Sequence, residues 1–405
     1  MELLVARQPI FDRNLHVFGY EILYRSSLTN AFDGSDGDAA TAKVINASFY
    51  SAVSEDIRGG KPAFINFTRR LIVEEDAFSL SPQAAIVEIL ETVVPDAEVV
   101  GACRRLRASG YKLALDDFVL TPDPSPLTEF ADFIKVDFRA TSALDRQRIV
   151  ERYGRRVALV AEKVETPEEF QWASEKGFPY FQGYFFAKPV IRSWEEVPIS
   201  KVAYLHLLEE IYAPDLDLDK LERVIKREPA LAYKLLRFVN SALFSLHERT
   251  GSVKHALVYI GCELTRKWLS IIVLTNLAAD RPSELVIGTL VRARFCELLA
   301  IEANLGQRAS DVFLLGLLSR LDAMLGRPLH LLLADLALQD DIRGLLLGES
   351  SSRNPVALLW KIVLAYESAD WDTALELAPL IDLRAETMAS LFNASVTWTS
   401  EVARV

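Results

Sequence analysis

The chain has 405 residues, half of them apolar and a quarter charged, with a formal net charge of −11. That length accommodates two or three domains, and the acidic balance excludes broad electrostatic binding to a nucleic acid polymer. Cys103, Cys262 and Cys296 form no CxxC pair, which argues against a disulfide framework or a thiolate zinc site and for a reducing compartment.

The opening stretch MELLVARQPIFDR lacks the basic region and apolar core of a signal peptide. Apolar runs such as 268–279 are too short to cross a bilayer, so a cytoplasmic protein with no membrane contact is expected.

From the N-terminus, residues 15–23, 63–67, 85–90, 112–115, 133–136, 157–160 and 180–186 read as short strands. Amphipathic stretches at 38–57, 96–109, 142–153 and 167–176 lie between them. Strands alternating with helices of this length predict a parallel sheet of βαβ units. Seven or eight of them in so short a span predict a compact β/α barrel with its site at the C-terminal strand ends.

Those ends carry an unusual set of residues: Glu21, Asn66, Glu88, Asp116 with Asp117, Lys135 with Asp137, Glu162 with Glu165, and Gln182. Leu113-Ala114-Leu115-Asp116-Asp117 is the sharpest case, because adjacent carboxylates strain each other unless a cation lies between them. An isolated pair of this kind also fits a solvated acidic turn. Glu21, Asn66, Glu88 and Asp116 together offer four hard oxygens, suited to Mg²⁺, Mn²⁺ or Ca²⁺. With Asp117 a second ion is possible, as in phosphodiester hydrolysis. Lys135 is placed to contact a water or phosphate oxygen, and Glu162 to take a proton.

Gln8-Pro9-Ile10, Gly19 to Arg25, Asn66, Glu88 to Glu91, Leu115 to Phe118, Lys135-Val136-Asp137, Ala161 to Thr166 and Gln182 to Pro189 occur in the order of the motifs of EAL-domain phosphodiesterases, which this half of the chain resembles. Those enzymes cleave cyclic di-GMP to linear pGpG. The resemblance implies Glu21, Asn66, Glu88 and Asp116 as ligands of a first metal and Asp117 as a ligand of a second. The ions would be Mg²⁺ or Mn²⁺, with Ca²⁺ inhibiting. Lys135, Glu162 and Asp117 are the catalytic candidates, and Gln8, Arg25, Gln182 and Glu165 the ligand-binding candidates. Glu91 would anchor the loop after Asp117.

The chain departs from the family pattern in three places. Glu21-Ile22-Leu23 replaces Glu-Ala-Leu, and Lys163 replaces a glycine. The loop at 119–127, with three prolines and no glycine, is a stiff, degenerate version of a flexible segment tied to dimer contacts. Hydrolysis, binding without turnover, and protein contacts alone all stay open as outcomes.

Beyond a connector at 193–200, the chain is leucine-rich and helical in period. Segments at 230–240, 252–259, 263–277, 283–304, 310–324, 328–338 and 355–368 predict an all-α bundle over 201–405. Residues 227–242, His255-Ala256-Leu257 and Ile260-Gly261 resemble the HDOD domain, a helical relative of HD-type phosphohydrolases without their catalytic ligands. Gly316-Leu317-Leu318 is followed by Ser319-Arg320 where an HD enzyme carries His-Asp, and no His-Asp dipeptide occurs in the chain. The expected architecture is α/β plus all-α: a TIM-like EAL barrel over 1–192 and an HDOD bundle that engages an unidentified protein partner. A homodimer is a further expectation.

Overall fold

A computed structural model describes residues 4–25, 59–74, 80–122, 125–183, 201, 204, 207–208, 210–211, 217–227, 229–240, 250–334, 336, 338–349 and 354–403. The expected helix at 38–57, the connector at 193–200 and the segment Tyr184 to Pro189 lie outside the described residues.

Eight strands close a barrel in sequence order: β1 (Leu4–Asp12), β2 (Val17–Arg25), β3 (Ala63–Phe67), β4 (Ala85–Ile89), β5 (Lys112–Leu115), β6 (Phe133–Asp137), β7 (Ala158–Glu162) and β8 (Tyr180–Gln182). Strands β2 to β8 pair in parallel, as the βαβ pattern predicts. An eighth strand not among the expected ones, β1, runs antiparallel to both β2 and β8 and closes the ring. Its polar interruptions at Arg7 and Gln8 hide it from a search for continuous apolar strands.

Among the described residues up to 183, four helices cover the barrel: α1 (Arg69–Val73), α2 (Ala97–Ala108), α3 (Ala143–Tyr153) and α4 (Pro167–Lys176). Asp96, Ser142 and Thr166 cap α2, α3 and α4 through their side chains, so three of the four starts are written in local sequence. The outer faces of the strands bury Ile65, Val87, Leu113, Ile134 and Leu159 beneath the helices. The inside is plugged by Ile10, Phe64, Ile86, Ala114, Phe133 and Val160. A filled interior confines ligand chemistry to the mouth above the plug.

The chain divides into two compact units, 1–188 with 361–397, and 189–360 with 398–405. This differs from the single helical domain expected over 201–405, because 361–397 groups with the barrel. Tyr366 is fully buried there, and its hydroxyl donates to the Val5 carbonyl at 2.9 Å. The pairing of β8 reaches only Ile10–Asp12, so this stretch of β1 takes its cover from a helix far away in sequence.

The second unit is helical. Its helix Ser283–Glu302 packs on Ala309–Leu318 at Gly316, where an added Cβ would lie 2.7 Å from the Ala293 Cα. Asn240 both donates to the Thr250 carbonyl and accepts from the Thr250 N–H at 2.9 Å, clamping the chain before the next helix. Among the described residues, no helix is long and apolar enough to cross a membrane.

Candidate active site

The mouth is built by strand alternation. Side chains two residues apart share a face of a strand, so each plug residue specifies the residue above it. Phe64 leads to Asn66, Ile86 to Glu88, Ala114 to Asp116, Phe133 to Lys135, Val160 to Glu162 and Tyr180 to Gln182; on antiparallel β1, Ile10 leads back to Gln8.

Glu21 joins this ring through a bulge. The β1–β2 register slips between Ile10 and Phe11, leaving Phe18 as the extra residue. One extra residue reverses the alternation, so Phe18 faces the plug and Glu21, opposite Gln8, also faces inward.

Lys135 stands at the centre of the ring. Its ammonium contacts Glu162 Oε1 at 2.8 Å, Asp116 Oδ1 at 3.1 Å and Glu21 Oε2 at 3.2 Å, and makes a short bond to Glu88 Oε1. Glu88 is 0% and Lys135 1% exposed. Burial opposes the lysine's charge, but Glu162, Glu21, Glu88 and Asp116 together hold it protonated well above the ordinary lysine value. Burial pushes the Glu88 carboxyl well above the carboxylate range, against the pull of Lys135. It pushes Glu162 up to about 8, again against Lys135.

Gln182 donates through Nε2 to Glu21 Oε2 at 2.6 Å and to Gln8 Oε1 at 3.0 Å. The following Gly183 (φ 143°) has no alternative, since a Cβ there would lie 2.1 Å from the Val164 carbonyl oxygen. That close approach fixes the end of β8 against the β7–α4 turn.

Asp117 takes a left-handed backbone (φ 38°), which turns it to the rim beside Asp116. Carboxylate oxygens of Glu91, Asp116 and Asp117 lie within 4.8 Å of one another, so Glu91 is brought to the mouth as well. Phe118 donates its N–H to the Lys135 carbonyl at 3.0 Å and packs edge-on to Tyr153, tying the start of the proline-rich loop to the barrel wall.

Glu165 lies half-buried in the β7–α4 turn, with its N–H donating to Glu169 Oε2 at 2.9 Å. Arg25 ends β2, and its side chain lies outside the described residues.

Two residues outside the candidate set also belong to the site. Asp137, two positions beyond Lys135, is buried and bonds the Lys163 ammonium. Burial opposes its charge, yet Lys163 and the Ala140 and Arg139 N–H groups hold its carboxyl below the usual range. Lys163 adopts φ 52°, and its ammonium lies 4.0 Å from Asp117 Oδ1. The sequence marks both, Asp137 at a strand end two positions beyond Lys135 and Lys163 in a glycine position, but it does not pair them with each other.

These residues fit a divalent cation. The donors are hard oxygens, and Glu88 Oε2, Glu162 Oε2 and Gln182 Oε1 are buried with no hydrogen-bond partner among the described residues. Buried oxygens normally have partners.

In the helical unit, Ser319 Oγ donates to the Gly316 carbonyl and accepts from Arg292 at 2.8 Å, and Arg320 is buried alongside. Two buried guanidinium groups thus occupy the surroundings of the missing His-Asp pair, and guanidinium does not ligate metals.

A family model of the EAL domain matches residues 53–189 and one of the HDOD domain residues 197–327. The uncharacterized protein YuxH of Bacillus subtilis is 34% identical over 391 residues, 94% of this chain and 95% of YuxH. The cyclic di-GMP phosphodiesterase CdgJ of Vibrio cholerae is 35% identical over 374 residues, 91% of this chain and 85% of CdgJ. Among solved structures, the calcium and cyclic di-GMP complex of Klebsiella pneumoniae BlrP1 aligns with 25% identity and a TM-score of 0.39, over 46% of this chain and 56% of BlrP1.

Proposed function

The chain belongs to the family in which an EAL domain precedes an HDOD domain, and on that premise we propose that its barrel binds cyclic di-GMP with a divalent cation and hydrolyses it to linear pGpG. The observation that carries this reading is the single ammonium of Lys135 held among Glu21, Glu88, Asp116 and Glu162 at one barrel mouth. Glu21, Asn66, Glu88 and Asp116 would hold a first Mg²⁺ or Mn²⁺, and Asp117 is the ligand that decides between one ion and two. Bound there, the ion supplies a Lewis acid that offsets the charge of a phosphate entering an acidic site.

The protein's own groups do the rest. Burial raises the Glu162 carboxyl to about 8, so it would take a proton from the attacking water once a bound cation had displaced its own. Lys135 donates a hydrogen bond to that water or to a phosphate oxygen. The water oxygen bonds phosphorus, the P–O3′ bond breaks, and the leaving oxygen takes up a proton. Gln182 and Gln8 hold Glu21 in place. Arg25 and Glu165 belong to the binding surface for the dinucleotide, and Glu91 anchors the loop after Asp117.

The helical module is non-catalytic and regulatory, supported by Ser319-Arg320 in place of His-Asp, and it engages a protein partner. We place the protein in the cytoplasm, with a homodimer as its assembled form.

A second reading rests on Lys163 and the proline-rich loop at 119–127: a cyclic di-GMP receptor without turnover. Release of pGpG, measured with Mg²⁺, Mn²⁺ and Ca²⁺ in turn, separates the two. Hydrolysis predicts metal-dependent product that Glu21→Ala abolishes; turnover untouched by Glu21→Ala would remove the assignment. The receptor reading predicts saturable binding by calorimetry and no product.

A further inference from the structure

We propose that the Lys163 ammonium is a tethered cation that takes the place of a second divalent ion at Asp117, so that the mouth holds one divalent ion where its carboxylates have room for two. This rests on the metal-binding reading of the barrel. Lys163 is anchored from below by its bond to Asp137 Oδ2 and reaches to 4.0 Å from Asp117 Oδ1. Asp117 in turn shares its oxygens with Asp116 and Glu91 in a group compact enough to hold an ion.

Lys163 and Asp117 both lie in the left-handed backbone region. The two turns, after β7 and after β5, each point a side chain over the same rim. Asp137 is buried and already bonded by the N–H groups of Arg139 and Ala140, so it cannot follow the lysine outward. The ammonium is therefore held at the rim by a fixed carboxylate.

A divalent ion on Asp117 Oδ1 would stand no more than about 6 Å from this ammonium, given a metal–oxygen distance of about 2 Å. Repulsion between a double and a single charge at that distance weakens binding about tenfold even in water. Glu21, Glu88 and Asp116, which would hold the first ion, are paired with Lys135, whereas Lys163 is paired with Asp137 and Asp117. Lys163 thus sets the number of ions through Asp117 without touching the substrate, as a positioning residue.

The test is Mn²⁺ alone, titrated by calorimetry into the full chain and into Lys163→Gln, Lys163→Gly and Lys163→Arg. Gln keeps the bulk and loses the charge, Gly suits the left-handed backbone, and Arg keeps the charge. Wild type and Lys163→Arg are expected to bind one Mn²⁺. Lys163→Gln and Lys163→Gly are expected to gain a second site, at least tenfold tighter than any second binding in wild type. A second ion bound by wild type as tightly as by Lys163→Gln, or one ion by every variant, would overturn the inference and leave the metal-binding reading standing. A wild type that binds no Mn²⁺ would overturn both. Thermal unfolding of each variant without metal shows that the comparison is between folded proteins.

Discussion

Gln182 Nε2 donates to Glu21 Oε2 at 2.6 Å, joining the last strand of the barrel to the strand that carries the first acid. Both side chains are buried, and Gln182 has a second bond to Gln8. Glu21 therefore owes its orientation to a residue 161 positions away. Residues that orient metal ligands typically contribute 10–100-fold to affinity. Gln182→Ala is expected to weaken Mn²⁺ binding by roughly that factor, and Gln182→Met to match it. A titration of the first site checks both.

Removing Lys135 exposes the cost of the acidic ring. Breaking a buried charge pair by deleting one partner costs about 3–5 kcal/mol, and four carboxylates share this lysine. Lys135→Met is expected to lose about that much stability without metal at pH 8, and less at pH 5, where the acids take up protons. Millimolar Mn²⁺ should restore part of the loss, because it binds only the folded ring. Denaturant unfolding with EDTA or Mn²⁺ at the two pH values measures this.

Metal binding should depend on pH with a definite sign. Burial raises Glu162 to about 8 and Glu88 well above the carboxylate range, so the metal-free protein carries protons at neutrality. A cation displaces them, since ligands bind deprotonated. Affinity for Mn²⁺ therefore rises from pH 6 to pH 8, by up to about tenfold per unit for each proton released. Calorimetry in buffers of different ionisation enthalpy counts those protons; binding with no proton release would contradict the electrostatics.

The Tyr366 hydroxyl seats a C-terminal helix on β1 through the Val5 carbonyl. Its ring packs against Trp371 and Phe392, and burial raises its phenol above the ordinary value. Tyr366→Phe keeps the ring and orphans a buried carbonyl, which costs about 1–3 kcal/mol. The loss should appear in unfolding of the barrel, followed by its tryptophan Trp172 in α4, and not in the helical unit alone.

Sequence by itself carried the strand ends. The parallel strands have a period of two and end in polar residues, so Asn66, Glu88, Asp116, Lys135 and Glu162 were legible as one ring before any coordinates. Local cap signals likewise set the starts of α2, α3 and α4. Tertiary structure alone decided three things. The bulge at Phe18 turns Glu21 inward, and a bulge is a property of strand pairing that no single strand records. The same holds for β1, whose direction depends on the two neighbours it closes between. The placement of Lys163 beside Asp117 depends on two turns separated along the chain but adjacent on the rim, and charge acts through space, not along sequence.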